Sequence, residues 1–279
     1  MACGVACSAR DRGLGSRVSD DDYPLRFGGI GRLYGMAALD RFRAARVAVI
    51  GIGGVGSWTV EALARSGIGH LTLVDLDEIC VTNVNRQLHA MDGQVGRQKT
   101  EAMAERVRAI SPTCDVQVLP TFFGEKNAAE ILSQGFDYVV DAIDTVRQKS
   151  LLLAECKQRG IPVVTCGAAG GRRDPSRIRV ADVAHTIHDA LLMQVRKQLR
   201  SKHGFPKAST GKKAKRFGIE AVFTEEAAVF PQCDGSVSTD KPDGTNLRLS
   251  CESGYGTAAP VTATFGLIAA SRVLEGLAK

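Results

Sequence analysis

Arg86 and Lys99 stand thirteen residues apart in "NRQLHAMDGQVGRQK", directly after the acidic run "VDLD" that carries Asp75 and Asp77. Farther along, "DAIDTVRQK" brings Asp141 and Asp144. Two cations and an Asn/Arg cluster beside one acid make little sense around a nicotinamide, whose hydride transfer needs neutral surroundings. An acid/base pair of the Tyr-x-x-x-Lys kind is also lacking, since no Tyr here has a Lys four residues on. The cations and amides suit a polyphosphate instead, because charge-assisted hydrogen bonds stabilise negative charge as it develops on a leaving group. ATP fits this pattern better than NAD. Asp141 or Asp144 could hold Mg2+ against the phosphates, as hard oxygen ligands do. Asp144 belongs to the turn facing the crevice, whereas Asp141 could cap the next helix. Arg86, Lys99 and Asp144 thus form a charge clamp for chemistry at phosphorus.

These side chains need a scaffold, and the flanking sequence describes one. "RVAVI" (46 to 50) runs into "GIGGVG", then into "SWTVEALARSGIG", in which Val60, Leu63 and Ala64 recur at helical spacing, and then into a second strand, "HLTLVDLD". In a βαβ unit of this size G-x-G-x-x-G becomes informative. Gly51, Gly53 and Gly56 let backbone N–H groups and a helix N-terminus approach phosphate. A Walker A ending, G-K-[ST], is missing. Asp75, 19 residues beyond Gly56, is placed to accept hydrogen bonds from a ribose. Asp77 either assists the nucleotide or simply ends the strand.

Further elements extend the pattern. A helix that starts near Gly96 to Lys99 buries Met103, Val107 and Ile110 and ends at Ser111-Pro112. "DVQVL" (115 to 119), "FDYVV" (136 to 140) and "IPVVTC" (161 to 166) read as strands three to five. Strands alternating with helices predict a Rossmann-like, doubly wound, mostly parallel α/β sheet. "RIRVADV" and "IEAVFTEEA" read as additional strands of the C-terminal part, and "IHDALLMQVRKQLRSKHG" as an amphipathic helix closed by Gly204. Residues 1 to 22 read as a flexible tail and 204 to 218 as a mobile basic loop.

Composition narrows the function classes. The 279 residues are 44% hydrophobic and 24% charged, as in ordinary globular chains. No signal-peptide-like run opens the sequence, so a cytoplasmic protein is expected. Residues 253 to 271 are uncharged, but their Gly, Pro and Thr content predicts a packed helix starting near Pro260, with no membrane insertion. The eight Cys include no C-x-x-C pair, which argues against structural zinc and thioredoxin-type chemistry, and buried free thiols are expected for most of them. Net charge is +6, yet between Asp189 and Glu220 stand nine Lys/Arg and no acid. This basic segment suits a polyanion such as RNA, or else it is a solvated loop.

The strings "RFGGIGRLYG", "GIGGVGSWTVEALARSGIG", "LVDLDEICVTNVNRQ", "GRQKTE" and "DAIDTVRQK" resemble the ubiquitin-activating-enzyme-like (ThiF/MoeB) superfamily of carboxylate-adenylating enzymes, from about residue 23 to the C-terminus. The resemblance implies one adenylating domain over 23–279, with a nucleotide-binding part (23–171) and a C-terminal extension (172–279). "NRQLHA", "FPQCDGSV" and "PVTATFG" further resemble the tRNA-modifying branch that dehydrates N6-threonylcarbamoyladenosine beside the anticodon. That branch implies ATP and Mg2+, adenylation of the threonyl carboxylate, and closure by the carbamoyl group at high effective molarity. The anticodon arm of tRNA would be held with help from the basic segment. Carried over by residue, Gly51, Gly53, Gly54 and Gly56 form the phosphate loop and Asp75 the ribose acceptor. Asn83, Arg86, Gln87 and Lys99 form the triphosphate clamp, and Asp144 the metal ligand. Arg32 of "GRLYG", with Arg26 as second choice, matches the arginine that superfamily homodimers insert into the partner's site.

The resemblance breaks at Ser238, where the branch carries Cys, so a thiol nucleophile is not implied there; Cys233 and Cys251 are the remaining thiols of that region. Cys166 reads as a packing residue and His89 as either a substrate contact or an interior histidine. Two other functions compete with the dehydratase. One is an adenylyltransferase for the C-terminus of a ubiquitin-like sulfur carrier, whose relatives hold zinc through two C-x-x-C pairs. The other is a nucleotide-binding scaffold working with a cysteine desulfurase or sulfur acceptor.

Overall fold

The computed structural model describes residues 22–207, 215–232, 234–240 and 256–279. The expectations for 1–21, 208–214, Cys233 and Cys251 therefore lie outside the described residues. The chain begins with α1 (Tyr23–Tyr34) and α2 (Met36–Ala44), to which the sequence reading assigned no element. There follow β1 (Arg46–Ile50), α3 (Gly56–Arg65), β2 (His70–Val74), α4 (Lys99–Ile110), β3 (Asp115–Leu119) and α5 (Ala128–Leu132). Next come β4 (Tyr138–Asp141), α6 (Val146–Arg159), β5 (Val163–Cys166), β6 (Ile178–Asp182) and α7 (Ala190–Lys202). The last elements are β7 (Glu220–Thr224), the short hairpin β8 (Phe230–Pro231) and β9 (Val237–Ser238), and α8 (Ala259–Leu277).

Seven strands form one sheet in the order β3-β2-β1-β4-β5-β7-β6. All pairs are parallel except β6 with β7, so the antiparallel partner lies at an edge. Side chains of a strand alternate between faces, and the two faces carry separate cores. Val47 and Val49 of β1 join helices α2, α3, α4 and α8 through Phe42, Leu63, Met103 and Phe265. Ala48 and Ile50 join α5, α6 and α7 through Ile131, Leu152 and Leu199. Burial on both faces explains why β1 is apolar throughout after Arg46, and why β2 interrupts its apolar residues after His70 only with Thr72. The order of the strands, not their direction, reverses between β1 and β4, and ligands of open α/β sheets bind at the carboxyl ends of the strands flanking such a point. Helix α8 starts one residue before Pro260, as expected, and among the described residues no helix is long and apolar enough to cross a membrane.

Candidate functional site

The glycine turn forms because other backbone fills the space a side chain would need. Gly51 has φ +93°, and a Cβ on Gly56 would lie 1.8 Å from the Gly51 carbonyl oxygen. Helix α3 therefore starts directly against the end of β1, with its amino terminus and its dipole at the crevice. Gly51 N–H donates to Val74 O (2.8 Å) and Ile52 N–H to Asp75 Oδ2 (2.6 Å). The other Asp75 oxygen accepts from Asp77 N–H (2.9 Å). Asp75 thus fixes the turn, and each oxygen keeps a lone pair for a further donor.

The crevice at the carboxyl ends of the sheet measures ≈ 730 Å³, within the usual range for small-molecule sites. Gly51, Gly53 and Gly54, Asp75 and Asp77, Asn83, Arg86, Gln87, Lys99 and Asp144 all line it. Gly56 stands behind the turn as a packing position. Asp77 is more than a strand terminator: its carboxylate pairs with Lys99 Nζ at 2.8 Å, and its carbonyl accepts from Lys99 N–H. Lys99 is the first residue of α4 and its side chain is only 7% exposed. Asn83 is buried and shapes the turn by accepting from Cys80 N–H (3.1 Å). Arg86 is half-buried and donates from Nη1 to Thr82 O (2.7 Å) and Asn85 Oδ1 (3.1 Å). Gln87 is buried, and its Oε1 has no partner among the described residues.

The two aspartates after β4 divide their roles. Asp141 is fully buried and does not line the crevice. Its Oδ2 accepts from Lys149 Nζ (2.8 Å) and Thr165 Oγ1 (2.7 Å), and its Oδ1 from Ile143 N–H (3.1 Å). It anchors the turn that presents Asp144, rather than capping α6 at its first turn. Asp144 is exposed at the crevice and makes no ion pair among the described residues. The Lys149, Asp141 and Thr165 cluster was missed in the sequence because it joins α6 to two strands, and no local spacing signals it. The strip from Gly167 to Gly170, together with Thr257 and Thr262, forms a wall of small residues equally silent in the sequence.

Three other expectations resolve on geometry. Cys166 is buried and its thiol is pushed up to about 12 by burial, which suits packing and not nucleophilic attack. His89 is buried, is absent from the crevice lining, and bonds through Nε2 to Ile52 O at 2.8 Å; it is an interior histidine. Ser238 lies on β9, does not line the crevice, and accepts from Asp240 N–H. Arg32 is exposed in the last turn of α1 and does not line the crevice, whereas Arg26 donates to Ile110 O.

A glycine turn, two cations, the side-chain amides of Asn83 and Gln87 and the Asp144 carboxylate around one crevice fit a nucleoside polyphosphate. The ThiF family model matches residues 30–279. The tRNA threonylcarbamoyladenosine dehydratase of Haemophilus influenzae is 49% identical over 93% of this chain and 95% of its own length. The structure of Escherichia coli tRNA N6-threonylcarbamoyladenosine dehydratase, TcdA, in complex with ATP superposes with a TM-score of 0.81 at 45% identity, covering 94% of this chain and 97% of that one. The same E. coli protein in complex with AMP gives 0.81 at 46%, over 94% and 98%. On its fold, its crevice and these likenesses, this chain belongs to the ThiF family, in the branch of the tRNA threonylcarbamoyladenosine dehydratases.

Proposed function

We propose that this chain is an ATP-dependent tRNA threonylcarbamoyladenosine dehydratase that works in the cytoplasm by adenylating a carboxylate. The observation that carries the reading is the convergence of Arg86, Lys99 and Asp144, from three separate segments, on one crevice beside an open glycine turn. A threonyl carboxylate oxygen attacks the α-phosphorus of ATP and pyrophosphate leaves. The carbamoyl group of the same nucleoside then closes on the activated carbonyl and expels AMP, so the nucleoside loses one water overall. No nucleophile from the enzyme is needed, because substrate and internal nucleophile share one molecule.

The N–H groups of Gly53 and Gly54, with the α3 terminus, receive phosphate, while Gly51, whose own N–H is held by Val74, supplies the bend of the turn, and Asp75 accepts from the ribose hydroxyls. Asn83, Arg86, Gln87 and Lys99 stabilise the charge that builds on departing pyrophosphate. Mg2+ is part of the reading, and the donor set fits it at one residue: Asp144 offers an exposed hard-oxygen carboxylate free of ion pairs, whereas Asp141 is consumed by Lys149. The ion would screen triphosphate charge there. The enzyme works as a homodimer in which the partner contributes Arg32. Helix α7 leads from Leu191 in the crevice wall to a shallow basin bordered by Arg196, Lys197, Arg200 and Lys207. At 1.5 Å per residue Arg196, Lys197 and Arg200 lie roughly 8 to 14 Å along the helix from Leu191, and with Lys207 beyond the helix end they would follow the phosphates of an anticodon arm whose target base is in the crevice.

Pyrophosphate exchange tests the reading directly. With ATP and labelled pyrophosphate, tRNA bearing threonylcarbamoyladenosine should support exchange, and a ubiquitin-like carrier ending in Gly-Gly should not. Nucleoside mass spectrometry should then show the dehydrated base. Exchange with the carrier alone would overturn the substrate assignment. Asp144→Ala should lower exchange by about 100-fold or more with an unchanged melting temperature, since a crevice carboxylate contributes little to packing. A fully active variant would remove Asp144 from the mechanism.

A further inference from the structure

His89 lies just below the glycine turn and takes no part in the chemistry described so far. Its ring is 2% exposed. Nε2 faces the carbonyl oxygen of Ile52 at 2.8 Å, and a carbonyl only accepts, so Nε2 is the protonated nitrogen. Nδ1 is buried with no partner among the described residues, which suits a lone pair and not a second N–H. The charged groups acting on the ring are Asp75, from the end of β2, and Lys99, from the start of α4. Burial first, and then Lys99, hold the imidazole below its ordinary range, against the opposing effects of Asp75 and the Ile52 bond. The ring is therefore the neutral Nε2–H tautomer.

Ile52 is thereby fixed at both ends. Its N–H is held by Asp75 and its carbonyl by His89. In a trans peptide the carbonyl and the following N–H point in opposite directions. The Gly53 N–H, which leaves the same peptide, is turned away from His89, and Gly53 lines the crevice. His89 also sits at the end of the segment carrying Asn83, Arg86 and Gln87, so its bond ties the side-chain clamp to the backbone turn. We propose that His89 is a positioning residue of the nucleotide site: by holding the Ile52 carbonyl it aims the Gly53 N–H at the phosphates and sets the distance between turn and clamp. The inference rests on the nucleotide reading of the crevice and adds to it a residue that never touches the ligand.

Two variants and two readouts test it. His89→Gln places an amide donor where Nε2 stands, and His89→Met fills the space without a donor. Expected for His89→Met is about a tenfold weaker affinity for ATP and for AMP, with adenosine affinity unchanged and the KM for ATP raised more than kcat falls. His89→Gln should recover to within about threefold of wild type. Independently of any ligand, the Gly53 amide signal of the ¹⁵N-labelled chain should shift in the Met variant and stay in place in the Gln variant. Equal loss for adenosine, an unmoved Gly53 signal, or a His89→Met chain that does not fold would overturn the proposal, the last because the contact would then serve folding in general. Should wild type itself ignore ATP while the Gly53 signal responds as stated, the nucleotide reading fails and the positioning of the turn stands.

Discussion

Lys99 starts α4, where the helix dipole disfavours a cation, and its side chain is almost wholly out of water. One carboxylate, Asp77, offsets that cost. In the proposed function the arrival of a polyphosphate would supply a second anion and complete the solvation of this cation. Lys99→Met should therefore reduce pyrophosphate exchange by about 100-fold or more while leaving tRNA affinity within about threefold, measured by filter binding on the same preparation. His89 gives a second prediction at this scale. Its folded state disfavours protonation relative to the ordinary value near 6.5, so the unfolded chain binds the extra proton first as pH falls. Stability from this group is complete above that value and declines as pH drops from there toward the folded value. Wild type should lose melting temperature relative to His89→Gln between pH 7 and 5 and keep a constant difference above pH 7; parallel curves throughout would show that the ring does not titrate with unfolding.

Among the elements, legibility follows how local the determinants are. The βαβ strands were readable because burial on both faces forces apolar runs, and β1 and β3 have the bounds their sequences suggest. Helices α1 and α2 were not, because α1 carries three glycines and buries only Tyr23, Phe27 and Gly31, a weak stripe that tertiary packing completes. Of the site, the residues in contiguous motifs were legible: the glycine turn, Asp75, the segment from Asn83 to Gln87, and Lys99. The cluster of Lys149, Asp141 and Thr165 was not, since three elements meet to make it. It has a measurable weight. Removing one partner of a buried ion pair leaves an uncompensated charge, so Lys149→Met should cost about 3–5 kcal/mol in urea unfolding. Adding Asp141→Asn should return part of that loss. If the double variant is less stable than the single one, the pair is not the reason for the cost.

At the scale of the molecule, Arg32 belongs to a surface the single chain leaves open. Leu25 is 79% exposed, Leu33 73% and Met36 56%, all on α1 or the first residue of α2, and Arg32 stands among them. Exposed apolar side chains grouped around a cation suit a self-complementary contact about a two-fold axis, and the proposed homodimer requires that contact to bring each Arg32 to the other subunit's crevice. In that arrangement every site takes Asp144 from one chain and Arg32 from the other. Arg32→Ala and Asp144→Ala homodimers should each be inactive. Mixed by unfolding and refolding together, they should form heterodimers with one intact site and one doubly defective site, restoring about a quarter of wild-type exchange for random pairing. Restoration would require Arg32 to act across the subunit boundary, whereas a mixture no more active than its parents would assign the arginine to its own chain or to no site at all.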